Sequence, residues 1–269
     1  MSLATDDRLG LFEHLDELRK RLFVCIIAAT AGVLVAAIFN GFMFSVLLYP
    51  LRSVTGLQES ATKITTFSPA EPFMVSLKVW VVGGLILASP VIIWELWAFL
   101  APAFTAKEKR YFYPVVFSST ALFLGGCAMA YFLILPKGLG WLLNFSAGFF
   151  NVQLRAEDYF TFMALFILAF GVTFELPVVL VLLAKVGVID DKFLKKNRRW
   201  AIVILAVAAA VITPSQDAFS MLAMFIPLYV LYEVSVVLAK FVQPKPATDA
   251  LIDESPDDGP DDGSLAAPA

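Results

Sequence analysis

Histidine, cysteine and charged residues are all scarce in this chain, and each shortage excludes a class of function. The 269 residues include one histidine, His14, so neither a zinc site built on two histidines nor an H-E-x-x-H protease helix can form. The two cysteines, Cys25 and Cys127, lie inside apolar runs, which is typical of small buried side chains and not of a disulfide or a metal pair. The sequence contains neither a P-loop nor a G-x-S-x-G elbow. We therefore predict a protein that is not an enzyme and has no metal, no cofactor and no nucleic-acid partner.

Most of the chain is rich in apolar residues and poor in charged ones. Only 16% of the residues are charged and 59% are hydrophobic, whereas soluble domains carry roughly 25% charged residues. This composition predicts an all-α integral membrane protein. The apolar runs predict six transmembrane helices, at residues 22–48, 73–100, 111–135, 159–184, 200–212 and 218–241. The chain then divides into a cytoplasmic N-terminal amphipathic segment (1–21), a six-span membrane domain (22–241) and a disordered acidic cytoplasmic tail (242–269).

The predicted spans are uneven in length and are interrupted by proline. The 13 residues of the fifth run reach only about 20 Å as a helix, against a hydrocarbon core of roughly 30 Å. We expect the fifth and sixth spans to be short and to thin the bilayer beside them. Pro90, Pro177 and Pro227 lie inside spans, where each removes a helical hydrogen bond and favours a kink, and Pro50 is a further structural proline. Kinked helices of unequal length predict a cupped wall.

Positive charge is distributed unequally between the two ends of the predicted spans. Fifteen Lys and Arg residues belong to the N-terminal segment, the second and fourth loops and the tail. Only four belong to the opposite face, namely Arg52, Lys63, Lys137 and Arg155. By the positive-inside rule, both termini are cytoplasmic. Lys78, inside the second span, is expected to extend its amine outward to the membrane surface.

The segment before the first span combines a leucine stripe with a cluster of charge. Read as a helix, residues 11–22 place four leucines on one face. Three acids and then three cations occupy other positions: Glu13, Asp16, Glu17, Arg19, Lys20 and Arg21. One interpretation is a membrane-surface helix whose basic end fixes the topology. The other is that Glu17 is a receptor group for a cationic partner.

One acid lies deep inside a predicted span. Placing Glu175 in the membrane costs on the order of 3 kcal/mol, so this residue needs a partner or a function. It is either a structural carboxyl bonded to a neighbouring helix or the coupling acid of a proton- or ion-coupled small-solute transporter. The six spans show no obvious internal repeat, which argues against the transporter. Glu95 and Glu233 lie nearer the cytoplasmic ends of their spans and are expected to reach the membrane surface.

Several motifs occur in order between residues 11 and 241. They are H-L-D-E-L-R-K-R-L (14–22), S-P-A-E-P-F (68–73), Pro90 followed by W-A-F-L-A-P (97–102), K-E-K-R (107–110), Y-F (131–132) with Pro136, F-G-V-T-F-E-L-P (170–177), T-P-S-Q-D (213–217), and Pro227 followed by L-Y-E (231–233). Each motif alone is weak, but the ordered set is specific. Together they resemble the TatC family, the multispanning subunit of the twin-arginine protein translocase.

The resemblance implies a signal-peptide receptor and assembly platform that exports folded proteins, driven by the proton-motive force. Glu17 and Glu108 would accept the two arginines of the signal, because a planar guanidinium pairs bidentately with a carboxylate and lysine does not reproduce that geometry. The rest of the signal-binding set would be Arg19, Lys20, Phe99, Pro102 and Phe104. We also expect Arg19 and Arg21 to hold Glu17 in place until a signal peptide competes for it.

The resemblance also implies partners within the membrane. Glu175, Tyr131 and Asp217 would contact single-span TatA- and TatB-type subunits, and a polar group on such a helix would relieve the burial of Glu175. The protein would be an oligomer in the bacterial cytoplasmic (inner) membrane, crossing the lipid bilayer several times. The expected receptor site therefore lies at the cytoplasmic face and the expected partner contact within the bilayer.

Overall fold

The structure is a computed structural model that describes residues 3–54, 64–101, 112–144, 153–185, 187, 189, 191–213 and 218–242. The described residues form ten α-helices, one π turn and two short strands. In chain order these are α1 (Leu3–Ile38), α2 (Asn40–Arg52), β1 (Ile64–Thr65), α3 (Glu71–Leu100), α4 (Phe112–Met129), the π turn (Ala130–Ile134), α5 (Leu135–Asn144), β2 (Leu154–Arg155), α6 (Ala156–Thr173), α7 (Leu176–Lys185), α8 (Asp191–Lys196), α9 (Arg198–Ile212) and α10 (Ala218–Val242).

The helices confirm an all-α membrane fold. Within the described residues, five stretches are long and apolar enough to cross a bilayer: His14–Ile38, Glu71–Leu100, Phe112–Asn144, Ala156–Lys185 and Ala218–Lys240. Helix α9 takes the place of the predicted fifth span, and its 15 residues reach about 22 Å. The expectation of a short sixth span is wrong, because α10 runs through Pro227 without interruption and its 25 residues reach about 37 Å.

The predicted first span is two helices. Helix α1 ends at Ile38, and Phe39 leaves the helical region with φ −92° and ψ 29° before α2 begins. Within α2, Pro50 has no N–H group, so the carbonyl of Val46 lacks its usual helical donor. The hydroxyl of Tyr131 donates to that carbonyl at 2.8 Å. Pro50 thus opens an acceptor through which α2 is fastened to the π turn.

The third span extends beyond its predicted end at residue 135. Helix α4 passes through the π turn into α5, and the Leu135 N–H bonds to the carbonyl of Ala130, five residues earlier. A proline ring clashes with the carbonyl four residues before it, and a π turn widens the helix there. Pro136 is therefore accommodated as the second residue of α5, where the sequence predicted the start of a loop.

Pro177 and Pro90, both expected to kink their helices, have different effects. The fourth span breaks at Phe174 and Glu175, and Pro177 lies in the first turn of α7, where proline is tolerated. The kink predicted at Pro177 is therefore present as a complete interruption. Helix α3, in contrast, continues through Pro90 to Leu100.

Helices α3, α4 and α6 pack on one another in all three pairs. Among the described residues, α1 packs mainly on α3, α3 packs on α4 and α6, and α10 joins α7 to α9. The α1–α3 contact is an antiparallel seam that brings His14 to Phe99, Arg21 to Glu95 and Gly32 to Gly84. The charged end of this seam carries the predicted receptor residue Glu17.

A buried carboxylate joins the two loops at the end of the fold opposite to Glu17. Strands β1 and β2 pair in parallel, with Ile64 opposite Leu154. Glu71, 4% exposed, accepts hydrogen bonds from the N–H of Phe67 at 2.9 Å, from Arg155 Nε at 3.1 Å and from the N–H of Glu157 at 3.1 Å. Lys78, expected to extend its amine outward, pairs there with Glu157 at 2.8 Å.

We expect Glu71→Ala to lower the melting temperature of the purified protein by several degrees, because three donors lose one acceptor and two of them are backbone N–H groups. Glu71→Gln keeps an acceptor oxygen, so its melting temperature should lie between those of Glu71→Ala and the wild-type protein. Lys78→Met, which removes the partly exposed pair with Glu157 and a long hydrogen bond to Thr161, should change the melting temperature little. Thermal unfolding in detergent measures all three, and an unchanged value for Glu71→Ala would contradict this role.

Candidate functional site

Glu17 is already bonded to a guanidinium group in this structure. Its Oε1 accepts from Arg21 Nη2 at 2.6 Å and from Arg21 Nε at 3.0 Å. The two residues are separated by one helical turn of α1, so the i, i+4 spacing brings their side chains together. The Glu17 side chain is 34% exposed, which leaves it open to a second cation. Two nitrogen atoms of one guanidinium group therefore converge on a single oxygen of the Glu17 carboxylate.

The expectation that Arg19 also holds Glu17 is wrong. Residues two positions apart on a helix face different sides, and Arg19 instead lies over the ring of Phe23, with 5.7 Å from its guanidinium carbon to the ring centroid. Lys20 pairs with Asp16 at 2.7 Å on the exposed side of α1. Neither cation touches Glu17, so the structure does not bring Arg19 and Lys20 into the immediate surroundings of that carboxylate.

Phe99 is the one predicted apolar contact that the described residues place beside α1. Its ring stacks on His14 with 4.4 Å between centroids and an interplanar angle of 15°. His14 precedes Glu17 by about one turn on the same helix, so Phe99 contacts α1 one turn before Glu17. Pro102, Phe104 and Glu108 follow α3 in the sequence and lie outside the described residues.

Sequence reasoning missed the role of Glu95. Its Oε2 accepts from Arg21 Nη1 at 3.0 Å, and its side chain is only 16% exposed. The expectation that it extends to the membrane surface is therefore wrong. A signal was present in the sequence, because Glu95 precedes Phe99 by four residues and so shares its face of α3. Which helix that face meets was not evident from the sequence.

Glu175 lies at the break between α6 and α7 and is bonded to a neighbouring helix. Its Oε2 accepts from the hydroxyl of Ser119 on α4, and Ser119 Oγ accepts from Trp97 Nε1 on α3 at 3.1 Å. The second oxygen, Oε1, is buried and has no hydrogen-bond partner among the described residues. An unpartnered carboxylate oxygen inside a membrane domain is costly. Glu175 therefore has a structural contact and one acceptor left over.

The remaining predicted partner contacts are only partly described. Tyr131, on the π turn, donates to the Val46 carbonyl and stacks on Tyr49 at 6.4 Å between ring centroids. These contacts are internal, and contact with a partner subunit stays a prediction. Asp217 lies outside the described residues.

Comparison with known proteins gives one family. The family model described as "TatC: Sec-independent protein translocase protein (TatC)" matches residues 13–227. A Sec-independent protein translocase protein TatC of Carboxydothermus hydrogenoformans is 36% identical over 240 residues, which cover 89% of this chain and 96% of the relative. The protein of that name from Escherichia coli K12 is 36% identical over 239 residues, which cover 89% of this chain and 91% of that relative. A crystal structure of the twin-arginine translocase receptor TatC superimposes with a TM-score of 0.76 at 38% identity, over 85% of this chain and 99% of that one.

Proposed function

The chain belongs to the TatC family of multi-pass protein translocase components, and on that basis we propose that it is the receptor for twin-arginine signal peptides. Its relatives carry the name of a Sec-independent protein translocase, and one solved relative is described as a twin-arginine translocase receptor. In this proposal the protein binds the signal of a folded precursor and assembles the other subunits around it, with no bond made or broken by its own residues.

The observation that carries the proposal is the pairing of Glu17 with a guanidinium group. Arg21 already occupies that carboxylate through two of its nitrogen atoms, and the side chain of Glu17 remains one-third exposed. An arginine of a signal peptide would approach the same carboxylate from the open side. Phe99, beside His14, offers apolar surface to the hydrophobic part of the signal. Glu108, eight residues beyond the end of α3, would accept the second arginine.

Charge distribution supports a cytoplasmic receptor site. The excess of Lys and Arg on the side of both termini favours an N-in, C-in topology. Glu17 and Glu108 both belong to that side, which is where a precursor meets the translocase before export. We place the protein in the cytoplasmic (inner) membrane of a bacterium.

Binding of signal peptides to the purified protein tests the proposal. A fluorescent peptide with paired arginines should bind more tightly than its lysine-pair counterpart, because only guanidinium pairs bidentately with carboxylate. Glu17→Gln should weaken arginine-pair binding about tenfold and bring the two peptides close to equal affinity, as loss of a charge-assisted hydrogen bond predicts. Asp16→Asn, one residue earlier and already paired with Lys20, is the matched control and should leave both affinities unchanged.

Equal binding of the two peptides to the wild-type protein, or an unchanged preference in Glu17→Gln, would contradict arginine recognition at Glu17. An effect of Asp16→Asn as large as that of Glu17→Gln would reduce the site to general attraction between charges. Anisotropy titrations at two salt concentrations separate these outcomes, since screening weakens general attraction most.

The buried acid is proposed as the contact for single-span partner subunits of the TatA and TatB type. Glu175 Oε1 is an acceptor without a donor among the described residues, and a polar side chain on a partner helix would supply one. The family assignment does not favour the alternative of an ion-coupled solute transporter. Assembly of several copies, with Tyr131 and Asp217 near the partner contact, belongs to the same proposal.

A further inference from the structure

Arg21 is shared between two carboxylates from different helices. Its Nε and Nη2 atoms bond to Glu17 on α1, and its Nη1 atom bonds to Glu95 Oε2 on α3 at 3.0 Å. The guanidinium group thus uses one edge for the receptor carboxylate and a separate nitrogen for Glu95. The two contacts can be broken independently.

We propose that Glu95 is a positioning residue that keeps Arg21 when an arginine of the signal peptide displaces it from Glu17. This inference rests on the proposed receptor function and adds a residue to it. In the free protein Arg21 occupies Glu17 as an internal substitute for the signal. In the bound protein Glu17 holds the arginine of the signal and Glu95 alone holds Arg21.

Burial explains why a second carboxylate is needed. The Arg21 side chain is only 26% exposed, so a displaced guanidinium without a partner would lie in a poorly solvated place. Glu95 is the least exposed of the three, at 16%, and is held by the seam between α1 and α3. It therefore stays in position while the Arg21–Glu17 contact opens.

Charge balance favours the same exchange. Two carboxylates share one guanidinium, so the group of Glu17, Glu95 and Arg21 carries one uncompensated negative charge when all three are ionised. Among the described side chains of α1, Lys20 pairs with Asp16 and Arg19 lies over Phe23, so neither supplies the missing cation. One incoming arginine completes two guanidinium–carboxylate pairs. A neutral peptide would leave the excess negative charge uncompensated.

The test uses the full-length protein in detergent with arginine-pair and lysine-pair peptides. Glu95→Gln leaves Arg21 with Glu17 as its only ionic partner, so displacement costs more and arginine-pair affinity should fall about fivefold. Removing the competitor as well, in Arg21→Ala with Glu95→Gln, should restore or exceed the wild-type affinity. Glu233→Gln removes a carboxylate from the comparable Arg198–Glu233 pair at 2.8 Å and should leave binding unchanged.

The outcomes distinguish this inference from the receptor proposal. An unchanged affinity in Glu95→Gln, with the expected loss in Glu17→Gln, overturns the exchange and leaves the receptor standing. A loss in Glu95→Gln that the double variant does not reverse also overturns it, because Glu95 would then act through the fold and not through Arg21. If Glu17→Gln retains the arginine preference, the receptor proposal itself fails.

Discussion

Replacing Gly84 by leucine is expected to prevent assembly of the membrane domain. A Cβ atom at this position would lie 2.5 Å from the backbone nitrogen of Val33 and 2.7 Å from its Cα. Both are backbone atoms of α1, so no side chain can move aside. A leucine therefore pushes α1 away from α3 along the seam that carries Arg21 and Glu95, at a cost of more than about 3 kcal/mol. Small residues are the usual means by which membrane helices approach so closely.

The amount of protein that survives detergent extraction and size-exclusion chromatography measures this effect. Gly125→Leu is the matched control, because a Cβ atom on Gly125 would meet nothing within 4 Å. It should leave the yield of monodisperse protein close to wild type. Equal yields of Gly84→Leu and Gly125→Leu would show that the close approach of the two helices is unimportant for assembly.

Glu175→Ala is expected to weaken association with single-span subunits and, with it, export. The variant removes the buried oxygen that has no donor among the described residues, and interhelical polar contacts in membranes are worth about 1–2 kcal/mol, which is about five- to thirtyfold in affinity. Signal-peptide binding at Glu17 should remain, since Glu175 belongs to a different seam. Co-purification of partner subunits and export of a folded reporter protein are the measurements.

A charge-neutral variant separates partner contact from ion coupling. Glu175→Gln keeps an acceptor for Ser119 and for a partner donor, so association should be largely retained. A coupling acid would instead lose its function in Glu175→Gln as fully as in Glu175→Ala. If both variants still associate with the single-span subunits, the carboxylate is an internal structural group and the proposed partner contact is overturned.

The spans were predictable because they depend on local composition. Apolar runs of 20 residues or more have few alternatives in a membrane protein, and the break before Pro177 follows from the missing N–H of proline. The missed features depend on atoms elsewhere. The contact of Tyr131, on the π turn, with the Val46 carbonyl of α2 joins residues that are 85 positions apart.

The candidate site was predictable only along one helix. The i, i+4 spacing joins Glu17 to Arg21 and, applied strictly, excludes Arg19. The contact of Arg21 with Glu95 bridges 74 residues and required knowledge of which faces of α1 and α3 meet. Likewise, nothing in the sequence connects Ser119 and Trp97 to Glu175, and their relation exists only after three helices have packed.

The short parallel ladder between the two loops imposes an order on biogenesis. Thr65 Oγ1 donates to the carbonyl of Leu154, 89 residues later in the sequence. Glu71 accepts hydrogen bonds from Arg155 and the N–H of Glu157, which belong to the same later segment. Closing so long a loop costs entropy that is repaid only when the contacts are complete. The ladder therefore cannot form until the segments from α3 to α5 have been synthesised and inserted. A chain that stalls before β2 leaves Glu71 without Arg155 and the N–H of Glu157, which are two of its three donors.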